Sequence, residues 1–251
     1  MYDSMRPGKS GVVTAVVVVA DDCYEVPTHR REQVHFRKRS MRSITFRYDD
    51  PLDMVWRYAA RQWGFQIDRD TEVFAASDGQ GRLRIGTPDT LDPDDSLAQI
   101  ILHELCHCAV AGDAARVQPD WGLTYDAPDD EVYEHAALQL QAALCIPYGL
   151  RQFFGATTDY RAYYDRLPLD LSFQPSSSEL ASPSDRLSSA IQEGDPAHHL
   201  ARAGWQFIER DAEKSKAIHL ALKTTAEIQR LVAPFAANDS LWRADSSDRV
   251  N

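Results

Sequence analysis

The sequence predicts an α+β fold: a small twisted sheet packed on a buried, histidine-bearing helix, with a helical C-terminal region. Three observations predict it. Short strand-like stretches flank a glycine-rich turn within residues 73–85. Apolar residues recur at helical spacing over residues 52–63, 97–111 and 130–145. A polar stretch rich in Ser and Pro, 175–183, then separates this part from further helical pattern reaching about residue 233. The expected organisation is an N-terminal extension over 1–42, a site-bearing domain over 43–174, a linker over 175–183 and a helical region over 184–251.

Within the extension, the longest apolar run is Val12 to Ala20, interrupted by Thr14. It is too short to cross a bilayer. Arg6 and Lys9 before it, and Val18-Val19-Ala20 at its end, also fit a signal peptide. Its valine content favours a buried strand, because β-branched residues suit a sheet. His29 to Arg42 is basic, carrying Arg30, Arg31, Arg37, Lys38, Arg39 and Arg42. That stretch reads as a solvated arm, or more sharply as a contact for an acidic partner.

Ser43 to Tyr48 alternates like a strand. Asp49-Asp50-Pro51 opens a helix, with a capping acid and proline in the first turn. Leu52, Val55, Trp56, Ala59, Ala60 and Trp63 give that helix one apolar face, and Gly64 ends it. Val73–Ala76 and Leu83–Ile85 are strand candidates around Asp78-Gly79-Gln80-Gly81. Asp92-Pro93-Asp94-Asp95 opens the next helix, which runs to Ala111 and stops at Gly112. Residues 113–130 form a loop. In it Asp120-Trp121-Gly122-Leu123 reads as a segment packed by its own tryptophan, or as a lid over a cleft. A third helix spans about Asp130 to Cys145, ending before Pro147-Tyr148-Gly149. Further helical stretches fall at Tyr160–Arg166, Ser184–Gln192 and Ala197–Ala233. His198 and His199 point apart on a helix and read as solvated surface. The sequence has no internal repeat.

The 251 residues suffice for a sizeable core. Apolar residues make up 43% and charged residues 26%, as in ordinary soluble domains. The formal net charge of −11 disfavours nucleic acid, whose binding needs Lys and Arg to replace counterions. No nucleic-acid or membrane partner is therefore expected, and the oligomeric state is left open. Cys23, Cys106, Cys108 and Cys145 lack the spacing of a disulfide framework. They read as reduced thiols of a cytoplasmic protein. Cys106 and Cys108 read as small core residues.

The chemistry-bearing segment is Ile101-Leu102-His103-Glu104-Leu105-Cys106-His107, an HExxH string. Residues i and i+4 lie one above the other on a helix. Two imidazoles so placed can share one zinc ion. Glu104 is rotated about 100° from His103, so it flanks a metal without ligating it and can act as general base. The helix around the motif is apolar almost all round, as a core helix is. Polar groups buried there need partners, and a metal would satisfy them together.

A third ligand is needed. Glu134 leads the candidates, because it shares a helix face with Leu138 and Gln141 and should point inward. Glu131 sits one turn nearer the solvated helix start, and His135 could ligate or donate a hydrogen bond. Asp113, Asp120 and Asp126 follow. Tyr125, Tyr133, Tyr160, Tyr163, Tyr164 and His135 are candidate donors to a developing oxyanion.

HExxH followed by a glutamate on the next helix resembles the gluzincin metallopeptidases. The stretch Glu134-His135-Ala136-Ala137-Leu138-Gln139-Leu140-Gln141-Ala142-Ala143-Leu144-Cys145-Ile146-Pro147 is similar to the ImmA/IrrE-type family within them. The glutamate follows His107 by 27 positions, a separation typical of that family. The likeness spans roughly residues 45 to 150. It departs at Leu138 and Leu140, where members usually carry Asn and an aromatic residue. The resemblance implies a zincin-like fold, zinc held by His103, His107 and Glu134, Glu104 as catalytic base, and hydrolysis of a peptide or protein substrate. Two rivals predict otherwise: a catalytically silent zinc-binding regulatory or interaction module, and a metal-free helical scaffold with a chance motif.

Overall fold

The computed structural model describes residues 15–19, 22–26, 48–124, 127–173 and 194–235. The chain divides into two compact units, one ending at Tyr48 and the other beginning at Asp49. In the first, the valine-rich run forms strand β1 (Ala15–Val19). It pairs antiparallel with β2 (Asp22–Val26), in register from Ala15 opposite Val26 to Val19 opposite Asp22. The extension thus holds a hairpin whose second strand the sequence did not announce, because Asp-Cys-Tyr-Glu-Val has no two-residue apolar alternation. The expected strand at Ser43–Tyr48 lies, apart from Tyr48, outside the described residues, as do the linker 175–183 and the helix expected over 184–192.

The second unit is α+β and mostly helical, with a small three-stranded mixed sheet. Its first helix, α1 (Pro51–Gln62), begins where expected. The Asp50 carboxylate accepts from the backbone N–H of Leu52 and Asp53, and Pro51 fills the first turn. Trp56, Ala59 and Ala60 form its buried face.

The sheet has the order β3–β5–β4, built from β3 (Gln66–Asp70), β4 (Ala75–Ser77) and β5 (Arg82–Gly86). β4 and β5 make the antiparallel hairpin that the turn residues predict. β3 pairs parallel with β5 and was not expected. Its sequence, Gln-Ile-Asp-Arg-Asp, reads as polar loop because only Ile67 is buried. The outward Asp68 and Asp70 instead meet Arg82 and Arg84 of β5 at 3.0 and 3.2 Å. Leu83 and Ile85 alternate with those arginines and are fully buried.

Helix α2 (Leu97–Ala115) is the centre of the core, buried almost continuously from Leu97 to Val110. Its cap is Ser96, whose hydroxyl accepts from Gln99 N–H, rather than the acids before it. Asp95 is otherwise engaged: one oxygen accepts from Asp92 N–H and the other from the Thr157 hydroxyl. Gly112, with φ 76°, breaks the helix, and the chain resumes for one short turn.

Around α2 pack α1, β5, α3 (Pro128–Cys145) and α5 (Pro196–Arg210). A short helix, α4 (Arg161–Arg166), follows α3. The helix expected over 197–233 is two helices. Asp211 leaves helical geometry and caps α6 (Ala212–Val232) by accepting from Glu213 and Lys214 N–H. The C-terminal helices belong to the same compact unit as the histidine-bearing helix. Trp56 of α1 donates its indole N–H to the Thr225 hydroxyl of α6 at 3.0 Å, with both residues fully buried. No described helix is long and apolar enough to cross a membrane.

Candidate metal centre

The motif lies in the middle of α2, where the 3.6-residue turn places His103 and His107 on one side. Their rings meet edge-on with centroids 4.5 Å apart, and their Nε2 atoms are 3.0 Å apart. Glu134 reaches both from the second turn of α3. Its Oε1 is 3.3 Å from His103 Nε2 and its Oε2 is 3.0 Å from His107 Nε2. These are the described residues grouped as a possible metal site.

Protonation explains why the cluster calls for a cation. Gln141 donates its amide N–H to the Phe154 carbonyl at 2.5 Å, which turns its Oε1 towards His103. That oxygen only accepts, so His103 Nδ1, 3.0 Å away, must carry a hydrogen. A neutral His103 then presents a bare Nε2 lone pair to the Glu134 carboxylate. Lone pair against lone pair is repulsive, so a proton or a metal ion must sit between them. In the metal-free protein a proton fills this role. Burial would lower the His103 pKa, but the charge and hydrogen bond of Glu134 override it and hold the imidazolium up to about 9. Burial likewise opposes ionisation of Glu134, and the two histidines overcome it, holding its carboxyl far below the usual range.

The donor set also fits a metal by size. Four ligands at about 2.0–2.1 Å in a tetrahedron are separated by about 3.3–3.4 Å along its edges. The Nε2–Nε2 separation of 3.0 Å, and the 3.0 to 3.3 Å from each Nε2 to one of the two Glu134 oxygens, lie close to that edge. Gln141 supplies the kind of outer hydrogen bond that would fix the tautomer of a metal-bound imidazole. Sequence reasoning passes over this contact, although it places Glu134, Leu138 and Gln141 on one face.

Glu104 is buried beside His103 without joining the cluster, and its Oε2 accepts the Trp121 indole N–H at 3.0 Å. The other third-ligand candidates lie elsewhere. Glu131 is largely exposed and pairs with His135 at 3.7 Å. His135 stacks on Tyr163, centroids 3.6 Å apart. Asp113 is exposed, and Asp120 accepts from Ser77 N–H at 2.8 Å. Asp126 and Tyr125 lie outside the described residues. Among the tyrosines, Tyr164 is buried and donates to the Arg151 carbonyl, and Tyr163 accepts from Gln139. Tyr160, half-buried, stands near enough for Glu134 to add to the burial that raises its pKa. His198 is not surface: it is buried, with Nδ1 3.2 Å from Gln139 Oε1 and its ring against Phe173. His199 alone is exposed.

A narrow cleft adjoins His103, walled by Phe74, Ile100, Leu138, Ala156 and Thr158. Phe74 precedes β4, an edge strand of the sheet. A more voluminous cleft, about 480 Å³ between Asp53, Arg69, Leu91 and Ser96, contains none of the cluster. Compared with protein-family models, curated proteins and solved structures, the chain matches none.

Proposed function

We propose that this protein is a zinc metallopeptidase of gluzincin type with a zincin-like fold. The observation that carries the reading is the Nε2 pair and the Glu134 carboxylate converging within hydrogen-bond distance, with the His103 tautomer set by Gln141. His103, His107 and Glu134 would hold the metal. Zinc bound there would supply a Lewis acid that polarises a carbonyl and acidifies water.

The protein's own groups do the rest. Glu104 accepts the proton of the attacking water and delivers it to the leaving amine. Gln141 keeps His103 in the ligating tautomer. The cleft beside Phe74 receives the substrate chain, and the nearby edge strand offers backbone groups to an extended peptide. Tyr160, which stands close enough to Glu134 to feel its charge, is the tyrosine assigned to donate to a developing oxyanion. Burial of Cys106, Cys108 and Cys145 as free thiols fits a cytoplasmic setting for this activity.

Elemental analysis and a peptide-library assay test the proposal together. Wild type should carry one zinc per chain and cleave peptides. Glu104→Gln should keep the zinc and lose about 10²- to 10⁴-fold in turnover, the usual span for a general base. Zinc-loaded wild type that cleaves nothing in a broad library would favour the silent binding module. Wild type without stoichiometric metal would leave only a scaffold.

A further inference from the structure

Glu104 is 6% exposed, and a carboxylate so placed needs a partner. The partner is Trp121, whose indole N–H donates to Oε2 at 3.0 Å across 17 positions of sequence. An indole only donates, so the bond has a single sense. It engages one carboxylate oxygen and leaves Oε1 outside it.

The indole is itself held. Trp121 is 3% exposed, and Phe65 meets it edge-on at 5.6 Å and 88°. Asp120 just before it accepts from Ser77 N–H, tying the turn to β4. Asp120 and Trp121 adopt φ of 46° and 61°, a left-handed geometry uncommon outside glycine. Without that turn the indole would not face α2. A tryptophan serving only to fill the core would not need its nitrogen aimed at the one glutamate of the motif.

We infer that Trp121 is the positioning residue for Glu104, its indole N–H fixing the carboxylate in one orientation beside His103. The inference rests on the reading of Glu104 as general base. Its physical content is separable: an anionic acceptor strengthens the bond, and the bond removes rotational freedom from a side chain that must meet a water.

Zinc-loaded full-length protein labelled with ¹⁵N-tryptophan tests it. The chain has five tryptophans, and the Trp121 indole resonance is assigned from its contact with the Phe65 ring. Glu104→Gln turns a charge-assisted bond into a neutral one, so that resonance should move more than any other indole resonance. A resonance that stays put overturns the proposal. Trp121→Phe keeps an aromatic ring and deletes the donor. It should lower kcat by about 10- to 100-fold, the scale of a misplaced reacting group, with KM and zinc content unchanged. Wild-type kcat in that zinc-loaded variant overturns the positioning role while leaving the peptidase reading standing. Wild type that is itself inert sinks the peptidase reading, and the resonance still decides whether Trp121 holds Glu104. If Trp121→Phe fails to fold, the Glu104→Gln shift decides alone, since it truncates nothing in the core.

Discussion

Removing the Glu134 carboxylate should discharge His103 in the metal-free protein. Burial disfavours the imidazolium, and Glu134 overrides it to hold the pKa at about 9 against an ordinary 6.5. That net rise corresponds to about 3 kcal/mol. Glu134→Gln keeps the shape and deletes the charge, so the His103 pKa should fall to the ordinary imidazole range or below it. Side-chain ¹⁵N NMR of the metal-free proteins, titrated from pH 5 to 10, reads both values. The sign carries over to stability. A raised histidine pKa gives a contribution present in full below about 6.5 and lost as pH rises through about 9. A lowered carboxyl pKa gives one present above about 4.5 and lost in acid. The pair is therefore strongest between these limits. Metal-free wild type should lose up to about 3 kcal/mol between pH 6.5 and 9.5, or about 6–12 °C in Tm, and Glu134→Gln should not. If zinc binds as proposed, it would take the place of the proton and should abolish the alkaline loss. A wild-type His103 pKa at or below 6.5, or one value shared by both proteins, refutes the argument that these side chains share a charge.

Gln141→Leu should weaken zinc binding by about 10- to 100-fold in competition with a chelator, because His103 loses the acceptor that sets its tautomer. Unchanged affinity would remove Gln141 from the site. Gly204→Ala should destabilise by about 1–3 kcal/mol in urea denaturation. Its Cβ would meet a Leu140 methyl at 2.9 Å and Val110 at 3.1 Å, where α5 crosses α2 and α3. Cys106, Cys108 and Cys145 should resist a thiol reagent at pH 8 until the protein is denatured. Burial pushes the Cys108 thiol up to about 12 and the other two well above their ordinary value. Rapid modification of any of the three in native protein would contradict their packing.

What could be read from the sequence was local, and what could not was set by distant partners. α1 and the β4–β5 hairpin follow from a cap, an apolar face and a glycine turn that act within a dozen residues. Glu134 was legible for a similar reason: the face it shares with Leu138 and Gln141 must turn towards the core, and the core is α2. The same logic carried one step further would have found Gln141, since a buried amide one turn beyond Leu138 needs a partner. β3 escaped because its cross-strand ion pairs lie on an open face, where alternating charge looks like loop. His198 was misplaced because its acceptor, Gln139, is 59 positions away. The Trp121–Glu104 bond was the least legible of all. It depends on two successive left-handed residues, one of them a bulky tryptophan, and on strand β4 to hold the turn by its backbone. A facing pair of histidines can thus be written into a single helical turn, whereas aiming the neighbouring glutamate takes three separate segments. If the proposed metallopeptidase reading holds, zinc binding should accordingly tolerate changes in the 113–124 loop that turnover does not.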